Sequence, residues 1–449
     1  MPLRDLFLTG IIGAILPFAL RHAFIGVLVW TWVGMMNPHK LAYGFIYDAP
    51  VALIVGAVTL VALFTTRDRI KLPLDTPLVF VGLFVLWTMV TTFFAFFPAE
   101  SSVQLEKVLK IQLMIFVTAA VLYKWEHIRL FIWVNVLSLA FYGVKGGIYT
   151  IQTGGAGRVW GPTGGFISGN NELALALIMA IPLMQFLRLT TPHVWVKRAL
   201  LVAMVLSAVS ALGTQSRGAL VAIAAMGLVL WWRGPNKMIG AIAVSLLAMS
   251  IWTFMPESWH SRMQTIQNYE EDGSAMGRIF AWQTAVNIAN DRILGAGYDM
   301  YYDAVFKVYA PDGGGSRFDP TIARAAHSIY FQVLGEHGYV GLFLFLMVWI
   351  TAWRMASRLR RDTRRDPDLV WLYHLGGMAQ VSLVGWAAGG AFLSLAYWDF
   401  PYNLVVAIVV AHRWRQEQGT LPEVAPPVPP DDLAKRGMRE RLMWWVRRA

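Results

Sequence analysis

Two arginines and a histidine are the residues of this 449-residue chain whose types and places could do chemistry. Arg217 opens an apolar run in "GTQSRGALV". Arg278 falls early in "GSAMGRIFAWQTAVNIAND". His327 stands where a polar stretch meets a long apolar one in "RAAHSIYFQVLGEHGYVGLFLFLMVW". A guanidinium can grip a diphosphate through two parallel hydrogen bonds, and an imidazole can take a proton near neutral pH. The trio therefore suits a phosphate-bearing lipid. The same residues also read as headgroup anchors at helix ends and as a structural interfacial histidine, and spacing alone leaves both readings open. Glu336 and His337 follow within the apolar run. Ionisable groups in hydrocarbon are costly and tend to mark function.

Other chemistries find less support. The one Asp-x-Asp, Asp366 and Asp368, lies among arginines, and Glu270, Glu271 and Asp272 form a turn-like acidic run. The chain has no Gly-x-x-x-x-Gly-Lys, His-Glu-x-x-His or Gly-x-Ser-x-Gly, and no cysteine. No cofactor and no metal are expected.

The elements that must position these residues are set by composition. Hydrophobic residues make up 57% and charged residues 14%, with a mean hydropathy of +0.51. A soluble domain carries roughly 25% charged residues. The apolar blocks are continuous rather than alternating, so helices rather than a barrel must span the lipid. We read spans at 6–36 (a single crossing broken near Pro17), 49–66, 76–97, 108–123, 128–149, 171–189, 199–213, 218–232, 238–255, 329–353, 369–391 and 398–413. The expectation is an all-α polytopic membrane protein of about 12 transmembrane helices.

Lys and Arg orient it. Of 38, 25 fall on one side and 13 on the other. The positive-inside rule makes the richer side cytoplasmic, with both termini there. The formal charge of +11 is thus a matter of orientation, and no nucleic-acid partner is implied. Four regions follow: spans one to nine in 1–255, an outer helical segment in 256–328, spans ten to twelve in 329–413, and a cytoplasmic tail in 414–449. The tail joins a proline-rich spacer to a basic amphipathic stretch suited to anionic lipid. In the outer segment, helical spacing predicts a helix capped by Ser274 and ended by Gly295 and Gly297, with a second short helix in "YDMYYDAVFKVYA". The glycine-rich stretch from Thr150 to Leu173 reads as a mobile loop, either connector or lid.

"SRGAL" around Arg217, "GRIFAWQTA" and "ILGAGYDMY" around and after Arg278, and "HSIYFQVLGEHGYVGL" from His327 occur in one order on the outer side. Together they resemble the bacterial O-antigen ligase family, whose superfamily also holds O-antigen polymerases and protein O-oligosaccharyltransferases. The resemblance covers most of the chain. It implies a GT-C-like fold with a small periplasmic cap in the bacterial inner membrane, and an active site facing the periplasm. It implies transfer of polysaccharide from undecaprenyl diphosphate to the lipid A–core, with inversion and without a metal. Matching the motifs makes His327 the catalytic base and places Arg217 and Arg278 on the diphosphate. Where the family often has a proline, this chain has Asp291-Arg292-Ile293, so Arg292 is a candidate extra cation. Glu336 matches a family glutamate and reads as structural; His337 matches no motif position. The rival of another class is a flippase or transporter of lipid-linked glycan.

Overall fold

The computed structural model describes residues 3–66, 68–71, 74–234, 273–312 and 321–420, with Asp319 and a few residues between 236 and 249. Most of the expected span 238–255, the acidic run at 270–272 and the tail beyond 420 therefore lie outside the described residues. The helices are α1 (Leu3–Arg21), α2 (Ala23–Met36), α3 (Val51–Thr65), α4 (Thr76–Phe93), α5 (Pro98–Val121), α6 (Trp125–Gln152), α7 (Asn170–Thr190), α8 (Val194–Gly213) and α9 (Arg217–Arg233). They continue with α10 (Gly273–Asp291), α11 (Asp303–Tyr309), α12 (Ile329–Thr363), α13 (Val370–Gly390) and α14 (Asp399–Thr420). Among the described residues there is no strand. Six of the described helices are long and apolar enough to cross a membrane. This is the polytopic all-helical chain that the composition requires.

Burial follows composition. α7 is apolar around nearly its whole circumference and is buried from Leu173 to Leu187 apart from Ile181 and Gln185. A helix that is hydrophobic on all sides belongs inside. The run Leu404–Ala411 of α14 is likewise buried. Large apolar side chains such as Phe7, Phe64, Phe93 and Trp195 stay exposed on the outer helices. That surface is suited to lipid rather than water.

The first span departs from expectation. It is two antiparallel helices, not one broken crossing. The bend is at His22, whose backbone is extended, rather than at Pro17, which sits inside α1. At one end Asp5 accepts the Ile46 N–H at 3.2 Å. At the other, Thr65 and Thr66 donate to the carbonyls of Leu20 and Arg21. α14 finishes at this second end, where Arg413 donates to the Lys71 carbonyl and Glu417 pairs with Arg69. The described N-terminal residues and α14's C-terminus thus lie at opposite ends of the bundle. The extra helix reverses the parity on which the expectation of both termini on one side rested.

One end of the bundle is rich in arginine and the other carries a cap. α10 and α11, the two helices expected from sequence between residues 256 and 328, form this cap. α10 is described from Gly273, which places Ser274 inside its first turn. The cap is joined to the bundle at a break in α12. Gly338 has φ +66° and ψ −171°, so the helix is interrupted there. An interrupted helix leaves carbonyls unpaired. The Gly335 carbonyl accepts from Ala296 N–H and the Glu336 carbonyl from Gly297 N–H, both at 2.9 Å. The His337 carbonyl accepts from the Trp87 indole at 2.9 Å. The Gly295-Ala296-Gly297 segment that leaves α10 is the strand of chain that satisfies this break. Gly295 itself has φ +67°, and a Cβ there would stand 2.7 Å from the Glu336 backbone.

Candidate active site at the cap end

His327 precedes α12 by two residues and has φ +43°, a left-handed conformation that a residue with a side chain rarely adopts. It is held on both sides. Trp282 of α10 donates its indole N–H to the Ala326 carbonyl at 2.7 Å and stacks on Phe331. The His327 N–H donates to Ser394 Oγ at 3.0 Å, in the turn between α13 and α14. The buried hydroxyl of Tyr301 lies beside Ser394 and Ala326. A strained backbone persists only where its surroundings over-determine it, and such residues gather at functional sites. Burial, and then the nearby positive charge of Arg278, lower the pKa of the imidazole. The ring is therefore kept in its uncharged, proton-accepting form.

Arg278 lies on α10, half-buried, within electrostatic reach of both His327 and Glu172. Glu172 sits in the first turn of α7. Arg217 opens α9, behind Ser216, whose hydroxyl caps the helix by accepting from Ala219 N–H at 3.3 Å. The turn before it is fixed by the first half of the chain. Asn170 donates to the Thr214 carbonyl at 2.8 Å and Gln215 to the Gly155 carbonyl at 3.3 Å, while Val159 N–H reaches the Gly213 carbonyl. The glycine-rich segment is thus fastened to the Arg217 turn. A Cβ on Gly218 would meet Phe392 at 3.4 Å. Phe392 is two residues from Ser394, so α9's N-terminus and His327 flank the same turn.

The structure brings Arg217, Arg278 and His327 to one end, around the 391–398 turn. It does not bring Arg292 there. Arg292 follows the far end of α10, about 21 Å from Arg278 at 1.5 Å per residue. Its guanidinium donates to the Phe94 carbonyl at 2.8 Å and lies 4.1 Å from the centre of the Phe96 ring. Those contacts fasten the cap to the turn between α4 and α5.

Glu336 is 2% exposed. Its carboxylate accepts from the Tyr397 hydroxyl and, at 3.2 Å, from the Asp299 N–H. It links the kinked helix to the 391–398 turn and to the cap, as a structural residue should. His337 ties α12 to α4. Thr91 uses its hydroxyl proton on the Thr88 carbonyl at 3.0 Å, so it accepts from His337 Nδ1 at 2.7 Å. Asp366 caps its own turn by accepting the Asp368 N–H at 2.9 Å, which accounts for the Asp-x-Asp spacing. No three acidic or histidine side chains converge among the described residues.

Sequence reasoning missed Glu172, Ser394 and the positioning role of Trp282. Glu172 left one trace, an acid opening an otherwise apolar helix. Ser394 left none, since a serine in "AFLSLAYWDF" has no distinguishing spacing.

These features define a polytopic helical membrane protein that gathers two arginines and a histidine at one end of its helices. Residues 202–346 match the family described as O-antigen ligase, a match that supports membership of the O-antigen ligase/polymerase superfamily. That segment contains Arg217, Arg278, His327 and Glu336. Residues 3–192 match a family of unknown function, DUF5935. No curated protein matches the chain. The site is therefore built across both matched segments, with Asn170 and Glu172 from the first and the arginines and histidine from the second.

Proposed function

We propose that this protein is a membrane glycosyltransferase that moves an undecaprenyl-diphosphate-linked O-antigen polysaccharide to the lipid A–core, at the periplasmic face of the inner membrane. The observation that carries the reading is the joint placement of His327 and Arg278: a proton-accepting imidazole next to a guanidinium, at the bundle end opposite the arginine-rich loops. An acceptor hydroxyl attacks the anomeric carbon and gives its proton to His327. The bond from that carbon to the diphosphate oxygen breaks, and the lipid diphosphate leaves with the electron pair. Arg217 and Arg278 stabilise the charge that grows on it. A single displacement inverts the anomeric centre. The diphosphate bond supplies the driving energy, so no nucleotide is required.

Three features support this over transport. The candidate groups gather at one end rather than midway along several helices. Glu336 and His337 make bonds that hold helices together. The family match is to a ligase. The test is incubation of the purified protein with lipid-linked glycan and lipid A–core, with and without chelator. Glycan appearing on lipid A–core is the expected result. Elongation of the lipid-linked glycan itself would indicate a polymerase instead, and movement across the bilayer without transfer would indicate a flippase.

A further inference from the structure

The arginine-rich end carries an arrangement that the proposed transfer reaction does not use. Arg233 of α9 and Arg360 of α12 both donate to one neutral oxygen, Gln380 Oε1 of α13, at 2.8 Å and 3.0 Å. Gln380 is itself 1% exposed and fixed by its amide, which donates to Ser357 Oγ at 2.6 Å. Two like charges therefore converge on an amide where a carboxylate would be expected. Next to them opens a cavity of about 570 Å³ lined by Arg360, Arg361, Arg364 and Arg365 with Tyr373. Its one acid, Asp362, is paired with Arg361 at 3.2 Å. The cavity has an excess of guanidinium and wants an anion.

The same two helices continue the site into apolar territory. A groove of about 370 Å³ between α12 and α13 is lined by Leu346, Trp349, Ile350, Trp353, Leu383 and Trp386. On α12, residues 346, 350, 353, 357, 360 and 364 follow one another at three- and four-residue steps, so groove and basic cavity lie on one helix stripe. An apolar trough that ends in a cluster of guanidinium groups has the polarity of a phospholipid: chain along the trough, phosphate at the arginines. Basic pockets between membrane helices take anionic lipid headgroups by this chemistry.

We propose that the α12–α13 face binds one anionic phospholipid, with its phosphate at Arg360, Arg361 and Arg364 and an acyl chain in the groove beneath. The test is native mass spectrometry of the full-length protein released from nanodiscs of phosphatidylglycerol or phosphatidylcholine, together with titration of detergent-purified protein by phosphatidylglycerol. The wild type should retain one phosphatidylglycerol that phosphatidylcholine does not replace. Arg361→Gln with Arg364→Gln, both solvent-exposed, should weaken it roughly five-fold per arginine removed. Val384→Phe, which narrows the trough, should weaken it without changing charge. Lys197→Gln with Arg198→Gln removes equal charge from another loop of the same end and should leave it bound. Competition by inorganic phosphate alone at equal concentration would mean an ion site without a lipid. Equal loss in both double variants, or equal retention of phosphatidylcholine, would overturn the proposal.

Discussion

Ser394 Oγ accepts the backbone N–H of His327 at 3.0 Å, and His327 is a left-handed residue with φ +43°. The hydroxyl of one turn thus fixes the backbone of the histidine that opens α12, across 67 residues of sequence. Ser394→Ala removes that restraint without touching the imidazole. A hydrogen bond of this kind contributes about 0.5–1.5 kcal/mol. Transfer per folded molecule should fall up to about ten-fold, with donor affinity unchanged. Unaltered turnover would show that the turn does not position the histidine.

Removing the imidazole should separate binding from chemistry. His327→Gly also relieves the positive φ. It should melt no lower than wild type, bind the lipid-diphosphate donor nearly as well and lose transfer. Donor binding weakened as much as in Arg217→Ala would make His327 a phosphate ligand rather than a base.

The pH profile carries its own sign. Burial and Arg278 hold the His327 pKa below the usual 6.5. The base form therefore predominates at neutral pH, and activity should decline only as pH falls below 6.5. Arg278→Gln removes one of the two depressing causes, so its residual activity at saturating donor should decline at a higher pH than wild type. A limb that stays put or moves down would break the electrostatic link.

Arg217→Lys and Arg278→Lys keep the charge and lose the two-pronged geometry. Each should lower turnover by about 10²–10³ if it stabilises the leaving diphosphate. Activity should survive excess chelator. Loss of activity that a divalent ion restores would hand that role to a metal.

The break in α12 should be intolerant of change. Gly338→Ala forces a side chain into φ +66°, ψ −171°, a region essentially confined to glycine and costing about 1–3 kcal/mol for another residue. Glu336→Gln keeps one acceptor oxygen but disturbs the bonds to Tyr397 and Asp299. Both should lower the thermal midpoint and the folded yield more than the rate per folded molecule, read from melting and transfer on the same preparations.

Topology is open to direct labelling because the chain has no cysteine. Leu3→Cys and Tyr43→Cys, at exposed positions of the cap end, should react from one side of the membrane. Arg364→Cys should react from the other. Leu3 and Arg364 labelling together would restore the single broken crossing.

By itself the sequence determined the helical membrane class and the two helices between residues 256 and 328, and it singled out Arg217, Arg278 and His327, which the fold places at one end. Each rests on something local: hydropathy, charge count or a motif read in order. It could not divide the first span. Arg4 and Arg21 exchange ends when one crossing becomes two, so the Lys and Arg split stays the same. Nor could it reject Arg292, since a charge next to a motif is indistinguishable by spacing from a charge in a site. Only the fold carries Arg292 to the far end of α10 and seats it on Phe96. The break at Gly338, the bonds of Glu336 and the restraint of His327 by Ser394 were likewise decided by tertiary structure. They join residues far apart in the chain, and a hydrogen bond closed over such a distance leaves no period or composition to read.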